Sequence, residues 1–270
     1  SPFDGLEALQ ATREFDARHT RANVLCTLGL VELASGQDAE AADYFLKSLR
    51  AHRDIGNRFA EAAVQWNLSL TSYNLLDFDE GLEHAREAIR LYREVGNRYR
   101  AASKLNLHPL VLIEMGRTDE AIACLEEYER DFADIDDVKV IIQSGYARGC
   151  LALSNGDLEQ AEKCFIKALD TARENDCSES VALSLQNLGL IRLEQGSRKE
   201  ALEYLRRGFE ALDDTVYFRN YVPDAEYFLM TGDTERAVHF AGKALARAQA
   251  TGNSVNLRRS REILEILGAG

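Results

Sequence analysis

A small residue returns every 40 positions along this chain, each time just after a turn. The segments Gly36-Gln-Asp-Ala-Glu-Ala41, Leu76-Asp-Phe-Asp-Glu-Gly81, Gly116-Arg-Thr-Asp-Glu-Ala121, Gly156-Asp-Leu-Glu-Gln-Ala161 and Gly196-Ser-Arg-Lys-Glu-Ala201 superimpose in register. A sixth copy, Gly232-Asp-Thr-Glu-Arg-Ala237, follows after 36. A second turn, Ile55-Gly-Asn-Arg-Phe59, recurs as Val95-Gly-Asn-Arg-Tyr99 and is echoed at Thr251-Gly-Asn253. Between turns the apolar residues keep a helical period; in 41–49 they fall at i, i+3, i+4 and i+8. Asp77 with Glu80, Asp157 with Gln160 and Ser197 with Glu200 have capping-box spacing. Gly56 and Gly96 stand where a helix ends in a left-handed residue. Each unit is therefore two short helices. One such hairpin cannot bury its apolar face alone, whereas a stack of them can.

The implied fold class is all-α: a right-handed α-solenoid superhelix of helix-turn-helix repeats closed by a C-terminal capping helix. The boundaries read as a half repeat 1–17, repeats at 18–57, 58–97, 98–137, 138–177, 178–213 and 214–253, and a capping helix over 254–268. In that last helix Leu257, Ile263, Leu264, Ile266 and Leu267 are expected to face the stack. Asn256, Arg258, Arg259, Arg261 and Glu262 are expected to face water. Residues 3–10 align with the second helix of a repeat, which suggests repeats or another domain upstream. Pro109 occupies the place of the close-packing Gly29, Ser69, Gly149 and Gly189, so a kink or π-bulge is expected there. Pro223 and the 36-residue step shorten the last repeat.

Leu28-Gly29 and Leu188-Gly189, the small residues Ala41 and Ala201, the aromatics Phe45 and Phe165, and then Ser48 and Ala168 carry a resemblance to the tetratricopeptide repeat. The 40-residue step exceeds the usual 34. It resembles the long repeats of cell-polarity scaffolds and those that follow the NTPase core of bacterial signalling ATPases. The resemblance implies that first helices line a concave groove. Its groove slots fall on Asn23, Thr27, Trp66, Asn67, Tyr73, Asn74, Asn106, Gln143, Tyr146, Gln186, Asn187 and Arg219, together with Ser103, Glu194 and Glu226, and with Glu114 at the far edge. Amides can donate and accept to a peptide backbone, and aromatics make low-entropy anchors. The basic clamp that grips a C-terminal carboxylate is not matched, since slot 2 holds Asn23, Ala63, Ser103, Gln143 and Leu183.

Chemistry is not legible. The phosphate-loop, nucleophile-elbow and zinc-protease motifs do not occur, and His84 with Glu87 reads as a solvated helix face. The five cysteines form no C-x-x-C pair, so neither a disulfide framework nor a zinc site is expected. The formal charge of −13 argues against nucleic acid and for a basic partner. No run approaches the roughly 20 apolar residues of a membrane span. The expectation is a cytoplasmic, non-enzymatic scaffold that binds a peptide or helix, without cofactor or metal. The alternative is a regulatory arm of a multidomain bacterial signalling or transcriptional regulator, sensing a small ligand or holding a neighbouring domain.

Overall fold

The computed structural model describes the backbone of residues 2–105, 107–132, 134–135, 137–211 and 220–269, and the side chains of these apart from 2–12, 105 and 107. Every regular element among them is a helix. The chain divides into two compact units, Ser1–Lys104 and Leu105–Gly270.

The first unit holds α1 (Pro2–Ala34), α2 (Asp38–Asp54), α3 (Arg58–Asn74), α4 (Phe78–Glu94) and α5 (Arg98–Leu105). The second holds α6 (Leu107–Glu114), α7 (Thr118–Phe132), α8 (Val138–Ser154), α9 (Leu158–Glu174), α10 (Ser178–Glu194), α11 (Arg198–Ala211), α12 (Val222–Thr231), α13 (Thr234–Thr251) and α14 (Ser254–Ile266). Within each unit consecutive helices pack side by side, α1 to α4 in the first and α6 to α14 in the second.

The turns explain the spacing. Left-handed residues occur at Gly36, Gly56, Leu76, Gly96, Gly116, Gly156, Asp176 and Gly196, all on a 20-residue step. At Gly56 the Schellman pair is formed: Gly56 N–H donates to the Arg53 carbonyl and Asn57 N–H to that of His52. Asn57 then caps the next helix, its side chain accepting from Ala60 N–H, as Asp77 does from Glu80 and Asp157 from Gln160. Leu76 (φ 64°) and Asp176 (φ 53°) hold this conformation without being glycine.

The cores repeat as well. Phe45 packs with Leu33, Ala41, Leu49, Val64 and Leu68. Phe165, at the same register three repeats on, packs with Ala161, Leu169, Leu185, Leu188 and Ile191. A Cβ added at Gly149 would fall 2.7 Å from the Phe165 ring, so the aromatic fills the space that glycine leaves.

Two expectations change. The segment read as a half repeat is one rod with the helix after it, because Asp16 stands where Gly56 and Gly96 stand in later repeats and no left-handed turn forms. Pro109 lies within α6, and Asn106, on which the expected kink or π-bulge turns, lies outside the described residues. In α14 Ile263 and Leu264 are buried as expected, but Ile266 faces solvent and Arg259 faces inward, the buried stripe running through Ser260 instead. Pro223 sits in the first turn of α12, which has 10 residues against 17 for α8 and α10.

Candidate functional site

The second unit encloses a cavity of about 380 Å³. Its walls come from first helices of successive repeats. α6 contributes Leu110, Ile113 and Glu114; α8 contributes Gln143, Tyr146, Cys150 and Leu153; α10 contributes Glu179, Leu183 and Asn187. The start of the capping helix closes one side with Asn253, Val255 and Asn256.

A polar rung crosses its wall. Asn187 Nδ2 donates to the Tyr146 hydroxyl at 2.8 Å and to the Leu183 carbonyl at 2.9 Å. The Tyr146 phenol also pairs with the Cys150 thiol, and burial raises both groups, Tyr146 well above the ordinary tyrosine value and Cys150 to about 12. The Glu179 carboxyl is likewise raised by burial, with Lys139 pulling it back.

The three acids expected in the groove lining or at its far edge have found partners from the last two helices. Arg247 of α13 grips Glu114 with two bonds, Nε to Oε1 at 2.5 Å and a terminal nitrogen to Oε2 at 2.8 Å. The side chains are only 8% and 12% exposed. Arg259 of α14 reaches Glu226 at 2.7 Å and Glu194 at 2.6 Å. The C-terminal hairpin is thus tied to the inner helices by charge.

Gln143, Tyr146 and Asn187 line this cavity. Gln186 does not: it is buried and donates to the fully buried Asp224 at 3.1 Å, bracing α10 to α12. In the first unit Asn23 and Thr27 are exposed on α1, Asn23 against His19 Nδ1 at 3.1 Å and the Thr27 hydroxyl on the Asn23 carbonyl. Asn67, 41 residues after Cys26, reaches its sulfur at 3.8 Å, the counterpart of the Asn187–Tyr146 rung at the same separation. Asn74 donates to Asp38 at 2.8 Å. Trp66 is buried, with the Lys104 ammonium 4.4 Å above its ring; burial pulls that amine down to about 8, helped by Arg100. Tyr73 lies in the core, stacked on Phe78 and filling the gap beside Gly81, so it meets no solvent. Asn106 and Arg219 lie outside the described residues. His84 is not on a solvated face; its Nδ1 is 2.6 Å from Gln65 Oε1. Sequence reasoning missed Cys150, Glu179 and the Asn253–Asn256 segment. The signal available was that residues four apart from Tyr146 share its helix face.

Stacked helical hairpins around such a cavity define an α-helical repeat protein. Residues 146–214 match the tetratricopeptide-repeat family model, and the fold of the described residues is that of tetratricopeptide-type helical repeats. Its fold is similar to that of a Rap protein complexed with competence and sporulation factor (TM-score 0.68, 14% identity, over 92% of this chain and 74% of that one). It is similar to aspartyl phosphate phosphatase F from Bacillus subtilis (TM-score 0.68, 16% identity, over 99% and 74%). NprR in complex with its cognate peptide NprX is a third (TM-score 0.64, 14% identity, over 96% and 80%). At these identities the likeness is one of fold. No curated protein sequence matches the chain significantly. Among the described residues no helix is long and apolar enough to cross a membrane.

Proposed function

We propose that this chain is a non-enzymatic peptide-binding module whose guest occupies the cavity of the second unit. The observation that carries the reading is the cavity itself, walled by three inner helices and furnished with a fixed amide–phenol rung. Asn187 has both amide hydrogens engaged, which leaves its carbonyl oxygen as the acceptor for a guest backbone N–H; exposed Gln143 can donate and accept beside it. The titratable Tyr146 and Cys150 are held neutral, which suits a binding wall better than a nucleophile. Glu114 and Glu179 line the space, and the described lining includes no Lys or Arg, which favours a guest with a cationic group. Solved relatives of this fold include Rap and NprR proteins that hold peptides. Asn23, Thr27 and Asn67 are the corresponding guest-facing positions proposed for the first unit.

A displayed library of random short peptides, panned on the full chain, tests this. Enriched peptides should carry Lys or Arg and lose about tenfold in affinity with Asn187→Ala or Gln143→Ala, the worth of one polar contact. Enriched peptides indifferent to both substitutions reject the reading.

A regulatory arm is the second reading, favoured by one contact. Glu114 both lines the cavity and holds Arg247. A cationic guest group would compete for that carboxylate and loosen α13, relaying occupancy to the C-terminal hairpin. Faster amide exchange in α13 upon peptide binding is the expected sign, and unchanged exchange opposes it.

A further inference from the structure

Lys104 stands in the last turn of α5, in surroundings unlike those of Lys47 and Lys163. Those two lie on exposed helix faces, each bonded at 2.6 Å to a carboxylate four residues earlier, Asp43 and Glu159. Lys104 is half-buried and lays its ammonium 4.4 Å from the centre of the Trp66 ring on α3, itself only 8% exposed. Among the described residues no carboxylate pairs with it. The charged group that faces it is a like charge, Arg100, four residues earlier and so on the same side of α5. Arg100 is exposed at the start of the helix, and its guanidinium also bears on the Tyr92 phenol of α4, which burial raises and Arg100 lowers.

An ammonium set against an indole, with an arginine for a neighbour and little water, gives up its proton early. Burial first, and Arg100 after it, bring Lys104 down to about 8. At pH 8 about half of it is then free amine, against roughly 0.3% of an ordinary lysine. The free amine is a nucleophile. The guanidinium that helps to deprotonate it is also a receptor for phosphate, one helical turn away.

We propose that Lys104 is a modification site that accepts acyl groups from small anionic acyl donors, namely acyl phosphates. Arg100 receives the phosphate end, and the Lys104 Nζ lone pair attacks the acyl carbon. An amide C–N bond forms, and the bond between the acyl carbon and the phosphate oxygen breaks. Inorganic phosphate leaves with that electron pair, and the amine proton passes to water; nothing is oxidised or reduced. The product is a neutral amide, so acylation removes both a positive charge and the cation–π contact with Trp66.

The full chain is incubated with acetyl phosphate at pH 8, and acetylation is followed site by site by mass spectrometry. Lys104 should react about tenfold faster than exposed Lys163 and Lys167, because a roughly hundredfold gain in free amine is partly offset by the weaker nucleophilicity of a less basic group. Arg100→Gln should slow acetyl phosphate at Lys104 several-fold more than it slows uncharged p-nitrophenyl acetate, which a guanidinium does not steer. A second readout is independent of reactivity. Trp66 is the chain's single tryptophan, and its emission should titrate with a midpoint of about 8. That transition should vanish in Lys104→Met, with helicity checked by circular dichroism. Equal rates at Lys104 and Lys163, equal losses with the two donors, or an emission midpoint at the ordinary lysine value each overturn the proposal.

Discussion

Replacing Arg247 with Met is the most informative single change in the second unit. Its guanidinium and the Glu114 carboxylate are almost shut off from water, and their two bonds join helices 133 residues apart in sequence. Taking away one partner leaves the other charge buried and uncompensated, which costs about 3–5 kcal/mol, whereas replacing both by apolar groups of similar volume is often near neutral. Here the expected loss is about 3 kcal/mol for Arg247→Met. In a unit of this size that corresponds to a fall in Tm of roughly 6–12 °C, at about 2–4 °C per kcal/mol. Glu114→Leu alone should cost about as much, and the double variant clearly less than the sum, with a coupling of about 2 kcal/mol. Urea titration followed by circular dichroism, with the cycle closed on all four proteins, reads these values. Single losses under about 1 kcal/mol that add without coupling would show a solvated pair and refute the claim that the C-terminal hairpin is clasped to α6.

Three further outcomes follow from other parts of the chain. Leu76→Gly should stabilise the first unit by about 1 kcal/mol in urea titration, because a left-handed leucine is strained where the equivalent turns use glycine; a loss would mean its side-chain contacts outweigh the strain. Cys150, raised to about 12 from a usual 9.0, should label with a thiol reagent near pH 8 roughly a thousandfold more slowly than an ordinary thiol, and modification at an ordinary rate contradicts the buried Tyr146 pairing. His52 and His84 are both lowered below the usual 6.5, chiefly by burial, with His19 adding to the effect at His52 and Glu80 and Glu83 opposing it at His84. The unfolded chain therefore takes up their protons first. Their stabilising share is present above pH 6.5 and is lost as pH falls from there through the folded values, so the urea midpoint of the first unit should drop on acidification; imidazole resonances titrating at or above 6.5 would rule this out.

The repeat fold could be read because left-handed turns demand glycine and glycines were there to count. It became harder to read where the demand is met by another residue or is absent. Leu76 and Asp176 adopt the turn without glycine, and Asp16 lets two apparent helices run together as α1. The cavity was legible to the extent that first-helix positions repeat. Asn187 and Tyr146 were picked by slot and form one rung. Tyr73 and Gln186 were picked the same way, yet both are buried, because a slot fixes the side of a helix and not what lies against it. Gly81 opens a gap that Tyr73 fills, and Asp224 of a later helix claims Gln186. The clasp of Glu114 by Arg247, and of Glu194 and Glu226 by Arg259, follows from how the last hairpin packs on the inner helices. No local pattern joins residues so far apart in sequence.

Peptide capture in the cavity is best tested by where a guest makes contact. A photoreactive benzophenone residue at Gln143, on the cavity wall, should cross-link a library-selected peptide, and the same residue at exposed Lys167 on the second helix of that repeat should not. Cross-linking at Lys167 with none at Gln143 would place the guest elsewhere and contradict the account.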